Sequence, residues 1–252
     1  MPSTKIALGD ALGYGADRLT TRGGAMLIGA YVVFQIASQA SFQSLFAGLV
    51  PNTMPSGAAG QVYPLAIDLP MPVSAGLVVL LMILGTVLSI VAMRAMYADI
   101  DDVPSADHTR RLARTTVVTI VVSIITFVAI SIGTVFLILP GIFLAVSLVF
   151  AQLAVVLENA GVIEALQRSW GLARGNRLRL FALGLIIAVV GGIAGGVFGF
   201  IGVFFPLAGA VASAIVTSVV TLFGIGVLVG CYRQIAEPGA AETGARGATT
   251  GL

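Results

Sequence analysis

Apolar and polar positions alternate on a coarse scale along this chain, with six long apolar stretches separated by short polar or proline-rich ones. The stretches are Ala25 to Phe46, Ser74 to Met93, Thr115 to Leu139, Ile142 to Leu157, Leu180 to Phe204 and Leu207 to Val229, and none contains Asp, Glu, Lys, Arg or His. A helix crossing a bilayer needs roughly 20 mostly apolar residues, because each adds about 1.5 Å against a hydrocarbon core about 30 Å thick. The pattern predicts an all-α, polytopic membrane protein, a six-transmembrane-helix bundle over residues 25–235. Residues 1–24 form an N-terminal segment, and residues 236–252, rich in Gly, Ala and Thr, a disordered tail. The fourth stretch is short. The Pro140–Gly141 pair before it is either a tight hairpin on the outer side or a break inside the bilayer between the arms of a re-entrant pair.

Two segments carry helical periodicity without the length to cross. At 100° per residue, Val162, Ile163, Leu166, Trp170 and Ala173 fall on one side of Gly161 to Arg174, with Glu164, Gln167, Gly171 and Arg174 on the other. This predicts a cytoplasmic amphipathic interfacial helix, its apolar side meeting either the acyl boundary or the inner ends of the spans. Ile6 to Leu19 shows a weaker version through Leu8, Leu12 and Leu19, diluted by three glycines.

Composition sharpens the class. The 252 residues are 58% hydrophobic and 10% charged, against about 25% charged in soluble domains. This excludes a water-soluble globule, and the same hydrophobicity excludes disorder for most of the chain. All 13 basic residues lie in alternate connections. Lys5, Arg18 and Arg22 precede span one, and Arg94, Arg110, Arg111 and Arg114 lie between spans two and three. Arg168, Arg174, Arg177 and Arg179 lie between four and five, and Arg233 and Arg246 follow six. Basic residues stay on the cytoplasmic side of short loops, so both termini are expected inside the cell membrane. Asp10, Asp17 and Arg18 interrupt any signal-peptide apolar block. The charged loop Asp99 to Arg114 lacks the Gly and Glu of a calcium loop, and the prolines of Val50 to Val73 predict an irregular cap.

Within the spans, small and polar residues mark contacts. Gly184, Ala188, Gly192 and Gly196 recur four apart, as do Gly191, Gly195 and Gly199, and Gly209, Ser213, Thr217 and Thr221. Helices in lipid associate through such close-packing faces, so spans five and six are expected to pack together, with a homodimer through the same motif as the rival. Gln35, Gln39 and Gln43 form one stripe on span one. With Gln152 on span four they are either interhelical hydrogen-bonding groups or the wall of a polar pathway.

Catalytic chemistry is poorly supplied. His108 is the single histidine, Cys231 the single cysteine and Lys5 the single lysine, which excludes a disulfide within the chain, a multi-cysteine metal site and a Walker lysine. The glycines from Gly191 to Gly202 lie inside a span, so they are no dinucleotide fingerprint. No catalytic residue, metal, cofactor or nucleic-acid partner is expected. The expected partners are membrane lipids, anionic ones by charge, and a membrane protein or second copy.

The stretch Leu139-Pro-Gly-Ile-Phe-Leu-Ala and the later Leu157-Glu-Asn-Ala-Gly-Val-Ile-Glu-Ala-Leu-Gln-Arg-Ser-Trp-Gly resemble uncharacterised multipass proteins related to the membrane domain of glycerophosphoryl diester phosphodiesterases. Ala11 to Gly24 resembles the N-terminal stretch of haloarchaeal members. The resemblance implies a six-helix membrane module without the hydrolase domain and without catalytic activity. The leading expectation is a non-enzymatic module that organises lipids or a partner protein through its basic cytoplasmic face, with Trp170, Arg168, Arg174, Arg177 and Arg179 as the contact. The alternative is a passive transporter or flippase-like lipid carrier, with Gln35, Gln39, Gln43 and Gln152 lining the route.

Overall fold

The computed structural model describes residues 5–49, 62–98 and 112–236. His108, most of the charged loop and of the proline-rich connection, and residues 237–252 lie outside the described residues. The elements are α1 (Leu8–Thr20), α2 (Arg22–Leu49), α3 (Met71–Tyr97), α4 (Leu112–Phe136), α5 (Ile138–Ser147), α6 (Ala151–Glu158), α7 (Val162–Ala173), α8 (Arg177–Phe204) and α9 (Pro206–Ala236). Six stretches are long and apolar enough to cross a membrane: α2, α3, α4, α5 and α6 taken together, α8 and α9.

Four of these stand side by side. α9 packs on α2, α3 and α8, and α2 packs on α3. The α8–α9 corner closes because neither Gly202 nor Gly209 has a side chain, and a Cβ on Gly209 would overlap the Gly202 backbone. The buried core gathers at the end where the basic residues lie. There Leu27, Ile90, Met96, Leu180, Leu183, Leu222 and Val229 of the four long helices meet Ile6 and Ala11 from the N-terminal segment and Leu153 and Val156 from α6.

The fourth apolar stretch departs from the expected bundle. Val156 O accepts from Arg94 Nε at 3.3 Å, the Phe150 ring lies 5.9 Å from that of Tyr232, and Phe143 carries the Arg177 guanidinium 4.3 Å from its ring centre. Arg94, Tyr232 and Arg177 sit at the basic ends of α3, α9 and α8. A helix running alongside the bundle from Val156 would carry Phe143 about 20 Å deeper, some 13 residues into α8. Instead α5 and α6 cross the ends of three helices in turn. The expected hairpin of Pro140–Gly141 on the outer side is thereby corrected to a place at the basic end, while the stretch keeps the length and hydropathy of a span. That corner shares a groove with Arg177, Leu178 and Phe181 of the first turns of α8. α4 returns along α5, clasped where Gly133 meets Gly141.

The physical cause is an interruption at Leu148 to Phe150. Ser169 Oγ, on α7, accepts the Phe150 N–H at 3.1 Å and donates to Ser147 O at 2.9 Å, satisfying backbone groups that a continuous helix would have paired internally. α6 is then buried on both sides, with Leu153 and Val156 on the bundle and Ala151, Ala154 and Val155 on α4 and α7.

The N-terminal segment is part of this end layer. Ile6 N–H donates to Asn176 Oδ1 at 3.2 Å, Arg179 Nη1 donates to Ile6 O at 2.6 Å, and Ala7 N–H donates to Gln234 Oε1 at 2.8 Å. α1 then lies against α9 at a crossing where a Cβ on Gly15 would stand 2.8 Å from Val227 Cγ2.

Candidate functional site

The residues around Trp170 were the leading sequence-level candidates, and α7 places them. Glu164 reaches back to accept the Gly161 N–H at 3.1 Å, closing the first turn of the helix. Its buried face is Ala165, Ser169, Leu172 and Ala173. That face is rotated by about a quarter turn from the one predicted, because Ser169 is committed to the α5–α6 break. Most of the apolar side therefore packs on the protein's own helices. Ile163 and Trp170 remain outward, 71% and 39% exposed.

The four arginines divide by task. Arg168 Nε and Nη2 donate to the Glu158 carboxylate at 3.0–3.2 Å, and Tyr232 OH donates to the same carboxylate. The Glu158 hydrogen bond raises the Arg168 pKa above its ordinary value. Arg168 thus ties α7 to the end of α6, and Arg179 ties α8 to the N-terminal segment. Arg174, just past α7, is exposed.

Arg177 is placed differently. Its Cζ lies 4.3 Å from the centre of the Phe143 ring and 4.7 Å from that of Trp170, and the two rings meet edge to face at 5.5 Å. Cation–π contact with two near-perpendicular rings fixes the guanidinium while using none of its N–H edge. No hydrogen bond or ion pair satisfies that edge among the described residues, and Arg177 Nε is buried without a partner. Beneath it opens a groove of about 630 Å³, walled by Leu139, Ile142 and Phe143 of α5 and Leu178 and Phe181 of α8, with Arg177 as its one charged lining residue. The sequence reading missed Phe143, Leu178 and Phe181. Phe143 was hidden inside an apolar run whose path depends on Ser169.

The glutamines separate. Gln35, Gln39 and Gln43 line a groove of about 360 Å³ between α2 and α3, facing Val78 and Met82. Gln43 Oε1 accepts the Leu65 N–H at 2.8 Å. Gln152 lies elsewhere, its Nε2 donating to Ser123 Oγ at 3.0 Å between α6 and α4. Gln152 therefore does not share the groove of the other three.

The glycine stripes of α8 contribute little to packing within one chain. Gly191 meets Val220 at 3.0 Å, whereas a Cβ at Gly184, Gly192, Gly195, Gly196 or Gly199 would meet nothing within 4 Å. Beyond Leu183, α8 has no buried residue. Among the described residues no group of three His, Cys, Asp or Glu comes together.

No curated protein and no solved structure matches the chain. A family profile described as a domain of unknown function, DUF7847, matches residues 6–235, from the residue gripped by Asn176 and Arg179 to the last turn of α9. The end layer and the four long helices together make the family's unit, and the chain belongs to the DUF7847 family.

Proposed function

We propose that this chain is a non-enzymatic module of the cell membrane whose basic end faces the cytoplasm and gathers anionic lipid. The observation that carries the reading is the Arg177 guanidinium, held against Phe143 and Trp170 with its donors unmet among the described residues. Arg174 adds an exposed charge beside it, while Arg168 and Arg179 position the helices that present it. Anionic headgroups are drawn to such clusters at about 1 kcal/mol per basic residue near the surface. The resemblance to the membrane domain of glycerophosphoryl diester phosphodiesterases supports a phospholipid context. The test is the lipid shell of the purified chain in mixed phosphatidylglycerol and phosphatidylcholine micelles, measured by mass spectrometry. Phosphatidylglycerol should be enriched over the bulk mixture, and Arg174→Gln with Arg177→Gln should remove the enrichment. A shell matching the bulk composition in the unaltered chain would refute the reading.

A second reading, a passive transporter or lipid carrier, is favoured by the placement of Gln35, Gln39 and Gln43 along an open groove. Under it, Gln39→Leu abolishes solute or lipid flux in proteoliposomes, whereas under the first it leaves lipid enrichment intact.

A further inference from the structure

The groove between α5 and α8 has a chemistry more specific than a basic surface. Resting on the lipid-gathering reading, we infer that it binds one anionic glycerophospholipid, its phosphate on Arg177 and an acyl chain along Ile142, Leu178 and Phe181. Four observations converge. The walls are apolar and Arg177 is the single charge, which is the polarity profile of an amphiphile with an anionic head. The guanidinium is fixed by cation–π contact with Phe143 and Trp170, and its Nη donors, which no described residue satisfies, suit a phosphate. Arg177 opens α8, whose first-turn N–H groups have no partner inside the helix and add to the positive field at the headgroup position. Finally, beyond Arg179 α8 runs without a charged residue to Phe204, so a chain following the helix from Arg177 points into the apolar half of the molecule. Leu178, 80% exposed beside this cation, is then covered by lipid.

Two other occupants fit less well. A soluble phosphate leaves the apolar walls wet. A second copy docking by two-fold symmetry would bring its own Arg177 to the same place, burying like charges without a carboxylate.

Trp170 is the only tryptophan, so its fluorescence reports on this site alone. The full chain in micelles is titrated with phosphatidylglycerol or phosphatidylcholine brominated at mid-chain, which quenches tryptophan on contact. Brominated phosphatidylglycerol should quench severalfold more at equal mole fraction. Arg177→Gln should bring the ratio to about one, Arg177→Lys should keep part of it, and Arg22→Gln, at an exposed cation outside the groove, should leave it unchanged. Equal quenching by the two lipids in the unaltered chain would overturn the groove site, as would a preference that survives Arg177→Gln or one removed by free glycerol phosphate. So would no quenching by either lipid together with disulfide-linked dimers of Leu178→Cys, which would assign the groove to a second copy. If the preference is absent here while the lipid shell is still enriched in phosphatidylglycerol and loses that enrichment with Arg174→Gln, the groove fails and the lipid-gathering face stands. Loss of both signals ends both.

Discussion

Ser169 shows how one hydroxyl redirects a helix. It is fully buried and serves the Phe150 N–H and the Ser147 carbonyl, both also buried. Ser169→Ala leaves a donor and an acceptor unpaired, so it should cost about 1–3 kcal/mol, read as a lower unfolding midpoint in detergent. Glu158→Gln removes the charge that Arg168 and Tyr232 share. The Arg168–Glu158 pair is substantially exposed, at 44% and 36%, so screening limits the loss to about 1 kcal/mol or less. An equal loss for the two variants would contradict the difference in burial. Neither residue stands out in the sequence, since a serine on an amphipathic helix reads as its polar face and a glutamate closing an apolar run reads as its solvated end. Their partners lie 10 to 74 residues away and are recognised only once the chain has turned.

Among elements, the informative contrast is between glycines that carry a contact and glycines that do not. A Cβ on Gly226 would lie 2.9 Å from Gly15 Cα, and one on Gly230 3.1 Å from Tyr14 Cδ1. α1 and α9 therefore approach almost backbone to backbone. Tyr14 OH then donates to Met96 O at 2.5 Å and accepts from Arg233 at 3.0 Å. Gly226→Val should separate the two helices, costing about 1–3 kcal/mol and raising amide hydrogen exchange through α1 first. Gly195→Ala meets open space and should stabilise α8 by about 0.5–1 kcal/mol through helix propensity. If Gly195→Ala instead lowers stability, α8 has a neighbour beyond its own chain. The stripes of small residues were legible in the sequence, but the depth of each contact was not. Spacing identifies a face, and only the crossing angle of two helices selects which glycine touches.

The whole molecule is a set of four long helices closed at one end by a layer made of α1, α7 and the α4 to α6 hairpin. Outward side chains of α4, among them Val117, Phe127 and Val135, are 62–85% exposed. Water does not favour an apolar surface of that extent, and the proposed membrane module puts lipid against the hairpin at the basic end. The side on which the corner lies is measurable. With Cys231 replaced by Ala, Leu139→Cys should react with a membrane-impermeant maleimide from the same side as Arg174→Cys, and Leu207→Cys from the opposite side. Labelling of Leu139→Cys together with Leu207→Cys would mean that the hairpin crosses the bilayer and that the end layer is misplaced.

Hydropathy is a sum along one segment, so the chain's own order of residues determined that there are six apolar stretches and that no cation interrupts their centres. It also determined the amphipathic α7 and the grouping of arginines. The boundaries moved only slightly, with α8 starting at Arg177 rather than Leu180 and α9 reaching Ala236. Where α5 and α6 run, which arginine keeps its donors free and which glutamines share a groove were decided by tertiary structure alone. Each depends on a partner remote in sequence: Ser169 for the break, Phe143 and Trp170 for Arg177, Ser123 for Gln152. An apolar run has the same hydropathy whether it stands among the long helices or lies across their ends, and the difference rests on a few polar bonds that no local pattern encodes.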